Sequence, residues 1–296
     1  MHFESINILL HLQFESKDIG NYLNIQKMKA FTVQKYGKKE TLHLVDVKEP
    51  IAKDNEVLVQ IHSAGVNLLD SLIRNGEFKI FLPYKTPFVN GHDMAGIITK
   101  VGAKVSKFKV GDEVYARVGD HRIGTFAEQI AVQENDLALK PKNISMNEAS
   151  SIPLVGLTVW QALVEIAKLK KGQKVFIQAG SGGVGTFAIQ LAKHLGAYVA
   201  TTTSSANIDL VKSLGTDLVI DYKSQDFATI LKDYDVVLHS NRESKVLENS
   251  LKVLKSGGTL VSLTGPPTAE LAKELGLAWP FQMIMNLLSF SARRTA

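Results

Sequence analysis

Residues 174–196 read KVFIQAGSGGVGTFAIQLAKHLG. An apolar run suited to a buried strand ends at Gln178, a glycine-rich turn follows, and apolar residues then recur at helical spacing through Leu195. Within the turn, Gly180-Ser181-Gly182-Gly183-Val184-Gly185 fits G-x-G-x-x-G. The glycines permit a tight turn, a close approach of backbone to a pyrophosphate, and close packing of helix on strand. Free N–H groups and the positive end of the helix dipole then face the phosphates. Alone, such a pattern reads equally as a structural turn. The strand before it and the long amphipathic helix after it supply the context that dinucleotide binding requires.

The text around this stretch alternates in the same way. Ser145-Met146-Asn147-Glu148 is a capping box opening an apolar helical stretch that runs through Val164. Strands are predicted over 174–178, 198–202, 218–220, 235–238 and 259–263, and helices over 184–195, 208–214, 226–232 and 245–254. Apolar strands separated by amphipathic helices imply a parallel sheet covered on both faces, with a ligand crevice at the carboxyl ends of the strands. From Met28 to about Lys140 the pattern differs. Short β segments are predicted over 30–34, 42–47, 57–61, 95–101, 113–116 and 127–132, with one short helix over 68–75. The expected division is an N-terminal extension over 1–27, a mostly β domain over 28–145, and a dinucleotide-binding α/β domain over 146–296. Residues 1–27 are weakly periodic and match nothing that follows.

With 45% hydrophobic and 21% charged residues, the chain can build a substantial core and is not globally disordered. The net charge of +5 is spread along the sequence apart from Lys168, Lys170 and Lys171, which argues against a nucleic-acid partner. No apolar run reaches the ~18 residues of a membrane span, and no basic segment precedes the apolar Ile6–Leu12, so a cytoplasmic address is expected. The 296 residues contain no cysteine, which removes disulfides and thiolate metal sites.

The residues after the second strand set the expected cofactor. A site for NAD usually offers Asp or Glu about 20 residues beyond the glycines. Here Thr201-Thr202-Thr203-Ser204-Ser205-Ala206-Asn207 stands in that place, and the first acid is Asp209. A carboxylate would repel a ribose 2′-phosphate by about 4 kcal/mol at ~4 Å and an effective dielectric of ~20. Without one, NADP(H) is expected, with the Ser204 and Ser205 hydroxyls donating to the phosphate. The same residues also suit a helix N-cap, at Ser205 or Asn207. One further motif is ambiguous. Gly91-His92-Asp93 opens an apolar strand, and His92 reads as a metal ligand, the remnant of one, or a structural histidine.

Together the stretches MKAFTVQKYG, AGVNLLDSLIRNG, GHDMAGIITKVG, FKVGDEVYA, GTFAEQIAV, SIPLVGLTVWQAL and AGSGGVGTFAIQLAKHLGAYVATT resemble the medium-chain dehydrogenase/reductase family, in its zinc-independent quinone oxidoreductase-like branch. They occur in the family's order from residue 28 onward. The resemblance implies a GroES-like β domain followed by a Rossmann domain, with the active site in the cleft between them. It places Asn67, Thr158 and the Leu263 backbone near the nicotinamide, and Ser204 and Tyr222 at the 2′-phosphate. Asn207 stands where many relatives carry a lysine. Zinc-dependent members hold the metal with a cysteine, the histidine of a Gly-His-Glu step and a third ligand. In this chain Asn67 takes the cysteine position, so no metal is expected and His92 is read as a hydrogen-bonding residue. His62 and His121 are the other histidines weighed as ligands, and Asp70 is read as structural.

Without a metal to stabilise a developing alkoxide, a simple ketone is a poor hydride acceptor. A quinone or an α,β-unsaturated carbonyl spreads the charge itself, so orientation and a few hydrogen bonds suffice. The expected activity is therefore NADPH-dependent reduction of such a small molecule, with Asn67 as the catalytic candidate and Phe78, Phe81 and Phe88 as pocket or core aromatics. No nucleic-acid or membrane partner is expected, and a homodimer stays open. Two alternatives are carried: an impaired fragment that retains nucleotide binding, and a zinc-type alcohol dehydrogenase. The first arises because relatives continue beyond the apolar WPFQMIMNLLSFSARRTA, where low turnover and a loosened β domain are expected.

Overall fold

The computed structural model describes residues 26–80, 82–241 and 243–264. The expectations for residues 1–25 and for the C-terminal apolar helix lie outside the described residues. The chain divides into two compact units. One holds the described residues up to Glu77 together with Tyr84–Ser150, and the other holds Phe78–Pro83 and the residues from Ser151 onward.

In the first unit, β1 (Lys27–Val33) pairs antiparallel with β2 (His43–Lys48) and with β4 (Phe88–Val89) in a three-stranded sheet. Between them in sequence lie β3 (Glu56–Gly65) and a single helical element, α1 (Leu68–Asn75). The strands β5 (Asp93–Val101), β6 (Glu113–Arg117), β7 (Gln129–Gln133) and β8 (Ala138–Leu139) join β3 in a five-stranded antiparallel sheet of order β7-β3-β5-β6-β8. Val57, Val59, Met94, Ile98, Val114, Ala116, Ile130 and Val132 come from four of these strands and form one buried cluster. The capping box forms as expected. The Ser145 N–H donates to Glu148 Oε2 (2.8 Å) and the Glu148 N–H to Ser145 Oγ (3.2 Å), opening α2 (Met146–Ser150). Ser150 Oγ lies 2.8 Å from Ser63 Oγ on β3, so this helix packs on the first unit.

The expected single helical stretch through Val164 is broken. Pro153, which has no N–H to continue α2, begins a separate helix α3 (Pro153–Trp160), and Gln161–Ile166 extends it as a π-helical segment. The second unit then alternates as predicted: β9 (Lys174–Ile177), α4 (Gly183–His194), β10 (Tyr198–Thr203), α5 (Ile208–Ser213), β11 (Leu218–Asp221), α6 (Phe227–Ile230), β12 (Tyr234–His239), α7 (Ser244–Lys252) and β13 (Leu254–Ser262). All strand pairs in the sheet are parallel, in the order β11-β10-β9-β12-β13. The chain moves outward from β9 to β11 and then returns to the other side, which puts the topological switch between β9 and β12. Most boundaries shift by one or two residues, and two elements depart further from expectation. Helix α6 is a single turn, capped where Asp226 accepts from the Ala228 N–H (3.0 Å). Strand β13 starts five residues before Thr259, with a register shift against β12.

Alternate residues of the central strands face opposite cores. Val175, Ile177, Val199, Val236 and Leu238 pack with Ala188, Ile189 and Ala192 of α4, while Phe176, Ala200 and Val237 pack with Phe227, Leu231 and Val253. Each large apolar side chain so enclosed contributes about 1.5–3 kcal/mol, and the pattern is that of a doubly wound sheet. Among the described residues no helix is long and apolar enough to cross a membrane.

Two carboxylates staple the sheet at its amino end. Asp217 accepts from the Val199 N–H (2.7 Å) and from Lys193 Nζ (2.8 Å). Asp235 accepts from the Lys174 N–H (2.7 Å) and pairs with Lys255. Burial pushes both acids up, but the lysine hydrogen bonds and charges, with the strand amides, outweigh it and hold both below the ordinary aspartate range. A depressed native value means that the stabilisation is in place above the unfolded-state value of ~3.9 and is lost as pH falls through the native one. The melting temperature is therefore expected to drop as pH is lowered below about 4. Asp217→Asn is expected to remove about 1–2 kcal/mol at pH 7 and to flatten that acid limb, which thermal denaturation across pH measures.

Candidate functional site

Each unit gathers its own group of residues. In the second unit the group begins with a close approach. A Cβ on Gly185 would lie 2.2 Å from the Ala179 carbonyl oxygen and 2.7 Å from Gly180 Cα, and one on Gly180 would lie 2.2 Å from Thr201 Oγ1. Both positions must be glycine for α4 to begin directly above the end of β9. Ala179 completes the turn at φ +53°. Gly182 and Gly183 face outward, with nothing nearer than 3.4 Å and 3.5 Å to their virtual Cβ atoms. The first N–H groups of α4, at Gly183, Val184 and Gly185, have no carbonyl available within the helix, and Gly182 and Gly183 add no side chain beside them. This cradle fits a pyrophosphate.

The end of β10 carries hydroxyls where a carboxylate would otherwise stand. Thr203 Oγ1 donates to Ser181 Oγ (3.0 Å), and Asn207 Nδ2 reaches both Ser181 Oγ (3.3 Å) and Ser204 Oγ (3.4 Å). The N-cap alternative is not what the side chains do. Ser204 and Asn207 occupy cap positions, but neither side chain makes a capping bond, and Asn207 turns back toward the glycine loop. Ser205 is exposed. Tyr222, 60% exposed at the end of β11, donates its backbone N–H to the Thr203 carbonyl (3.2 Å). It lines a cavity of about 610 Å³ together with Gln178, Thr202, Ser240, Asn241 and Lys245. Leu263 follows β13, and its N–H is taken by the His239 carbonyl (2.8 Å). Thr158 on α3 donates its hydroxyl to the Leu154 carbonyl (2.8 Å) and is half-buried.

The sequence reading missed Gln178. Its Nε2 donates to the buried Ser250 Oγ (2.7 Å), and its Oε1 accepts from the Ser240 N–H (3.1 Å). It thus ties the ends of β9 and β12 to α7. Ser250 Oγ also lies 3.5 Å from His239 Nδ1, and burial pulls that imidazole below the ordinary histidine value. The one available signal was a polar residue closing an otherwise apolar strand.

In the first unit, Asn67 precedes α1. Its backbone N–H donates to Asp70 Oδ2 (2.7 Å), and its Nδ2 donates to the buried Asp93 Oδ2 (3.1 Å). Asp70, also buried, accepts a hydrogen bond from His92 Nδ1 at 2.6 Å. The reading of His92 as a hydrogen-bonding residue thus acquires a partner: it ties the start of β5 to α1. His92 Nε2 is buried without a hydrogen-bond partner, 3.8 Å from Asp120 Oδ1. Asn67 presents an amide donor toward Asp93 rather than a ligand atom, and among the described residues no three His, Cys, Asp or Glu side chains gather to hold a metal ion. This donor set does not suit zinc. Phe88 packs against Tyr36 and Tyr84, with ring centroids 5.7 and 5.1 Å away. Burial, and then the Asp120 charge, raise the Tyr84 phenol well above its ordinary value, and it donates to the Asp120 carbonyl (2.6 Å). Phe78, which belongs to the second unit, is half-buried, and Phe81 lies outside the described residues.

Residues 53–142 match the family described as the alcohol dehydrogenase GroES-like domain, and residues 183–288 that described as zinc-binding dehydrogenase. The chain is 40% identical over 251 residues to a 2-methylene-furan-3-one reductase of Solanum lycopersicum, covering 82% of this chain and 63% of that protein. It is 38% identical over 252 residues to a chloroplastic NADPH-dependent alkenal/one oxidoreductase of Arabidopsis thaliana, covering 82% and 64%. The chain thus spans a little under two-thirds of the length of these curated relatives. A quinone oxidoreductase structure from Coxiella burnetii superposes with a TM-score of 0.76 at 32% identity, covering 85% of this chain and 81% of that one.

Removing the Asp70 carboxylate would leave the buried His92 Nδ1–H and the Asn67 N–H without acceptors. Asp70→Ala is expected to cost about 3 kcal/mol, read as a lower urea midpoint, with the amide resonances of Asn67 and His92 the most displaced.

Proposed function

The chain belongs to the medium-chain dehydrogenase/reductase family, in its quinone oxidoreductase-like branch, and from that premise we propose that it reduces a quinone or an α,β-unsaturated carbonyl with NADPH and without zinc. The observation that carries this reading is the glycine cradle beside a β10 end that bears Ser204 and no acid. The N–H groups of Gly183, Val184 and Gly185 hold the pyrophosphate, with Gly180 and Gly182 shaping the turn. Ser204, Ser205 and Tyr222 take the 2′-phosphate side, and Thr158 and Leu263 the nicotinamide side. When bound, the cofactor supplies the hydride.

The protein's own task is then to orient a substrate that spreads its incoming charge. Asn67 serves as the positioning and hydrogen-bonding group, its backbone N–H held by Asp70 and its side-chain amide by Asp93, so that little side-chain freedom is lost on binding. The names of the Arabidopsis alkenal/one oxidoreductase and the Coxiella quinone oxidoreductase support this substrate class. We assign residues 28–145 to the GroES-like domain and 146–296 to the dinucleotide-binding domain. The cytosol is the proposed location, although the Arabidopsis relative is named chloroplastic.

Fluorescence titration of the purified chain is expected to show NADPH bound more tightly than NADH. Ser204→Asp should weaken NADPH by roughly 10- to 100-fold while leaving NADH nearly unchanged. NADPH oxidation is expected with a benzoquinone or an enone and not with a simple ketone, and a chelator should not alter it. Preference for NADH, or turnover that vanishes with chelator and returns with zinc, would overturn the reading.

A further inference from the structure

Resting on the NADP(H) reading, we propose that Ser181, inside the glycine loop, is a specificity-determining donor to the ribose 2′-phosphate, aimed by Thr203 and Asn207. A serine hydroxyl has one proton to give and two lone pairs to accept with. At Ser181 both lone pairs are engaged: Thr203 Oγ1 donates from 3.0 Å and Asn207 Nδ2 from 3.3 Å. Thr203 is 1% exposed and cannot be turned to water, so its proton is committed to Ser181. The only hydrogen-bonding capacity left at Ser181 is its own O–H. Among the described residues nothing accepts it, and Ser181 itself is half-exposed.

Asn207 extends the device. The two protons of one amide nitrogen reach Ser181 and Ser204, at 3.3 and 3.4 Å. Each serine oxygen is therefore held as an acceptor toward Asn207, and each serine proton is turned away from it. Two outward O–H donors spaced by one amide suit the oxygens of a phosphate, and hydrogen bonds to an ionised acceptor are the stronger kind. A ribose 2′-hydroxyl would satisfy them less well, because it offers neither the charge nor several acceptor oxygens. The network is neutral throughout. Selectivity built this way depends on the direction of hydroxyl protons and not on a cationic clamp, so it should respond weakly to salt.

The test is calorimetric titration of the full chain with adenosine 2′,5′-bisphosphate and with adenosine 5′-monophosphate, at low and high salt. The bisphosphate is expected to bind about 10-fold or more tightly. Ser181→Ala should lose about 10-fold for the bisphosphate and under two-fold for the monophosphate, which also reports that the site is still folded. Asn207→Asp takes the hydroxyl protons for itself and adds a charge, so it should abolish the preference. If the unaltered chain prefers the bisphosphate but both variants keep that preference, Ser181 is not the donor and the NADP(H) reading stands. If the unaltered chain shows no preference, the NADP(H) reading falls and the inference with it. A steep loss of the preference at high salt would show a cationic site and overturn the neutral network.

Discussion

The second unit depends on one close approach. Thr201 on β10 donates its hydroxyl to the Ile177 carbonyl (2.6 Å), and its Oγ1 then occupies the place where a side chain on Gly180 would begin. Gly185 sits equally tightly on Ala179 and Gly180. Because both positions lack a Cβ, α4 starts directly over the end of β9 and its free amide ends gather at one point. Ala188, Ile189 and Ala192 can then reach the sheet and close the larger core. Packing and phosphate recognition are the same constraint here, since the contacts that seat the helix also fix where its dipole points.

Around that point the protein uses neutral polar wiring more than charge. Gln178, Ser250 and Ser240 hold the end of β12 against β9, and Thr203, Asn207 and Ser181 hold the end of β10 against the loop. Such bonds contribute about 1 kcal/mol each, but they select one geometry of the strand ends. The charged pairs lie elsewhere. Asp217 and Asp235 staple the opposite end of the sheet, where their role is stability. In the first unit Asp70 does the comparable work, joining α1, β5 and Asn67 through one buried carboxylate.

Local features were legible in the sequence. The loop glycines, the Ser145–Glu148 box, helix α1 and the alternation of β9 through β12 all follow from periodicity and turn chemistry within a few residues. Features set by distant partners were not. Nothing near His92 announces Asp70, 22 residues away, and nothing near Gln178 announces Ser250, 72 residues away. Asn207 reads as a helix cap because its local neighbours allow one, and the tertiary contact with Ser181 wins instead. The early start of β13 has the same origin. Leu254 continues into a strand because it pairs with Tyr234, and Gly257 at φ +75° absorbs the register shift.

Amide hydrogen exchange with and without added dinucleotide tests most directly the claim that the β9–α4 turn is the phosphate site and the β10 end its selector. NADPH is expected to slow exchange at residues 181–186 and 203–207, and NADH to slow it at 181–186 with little effect at 203–207. Unchanged exchange at 181–186 under saturating NADPH, or equal protection of 203–207 by both dinucleotides, would contradict the account.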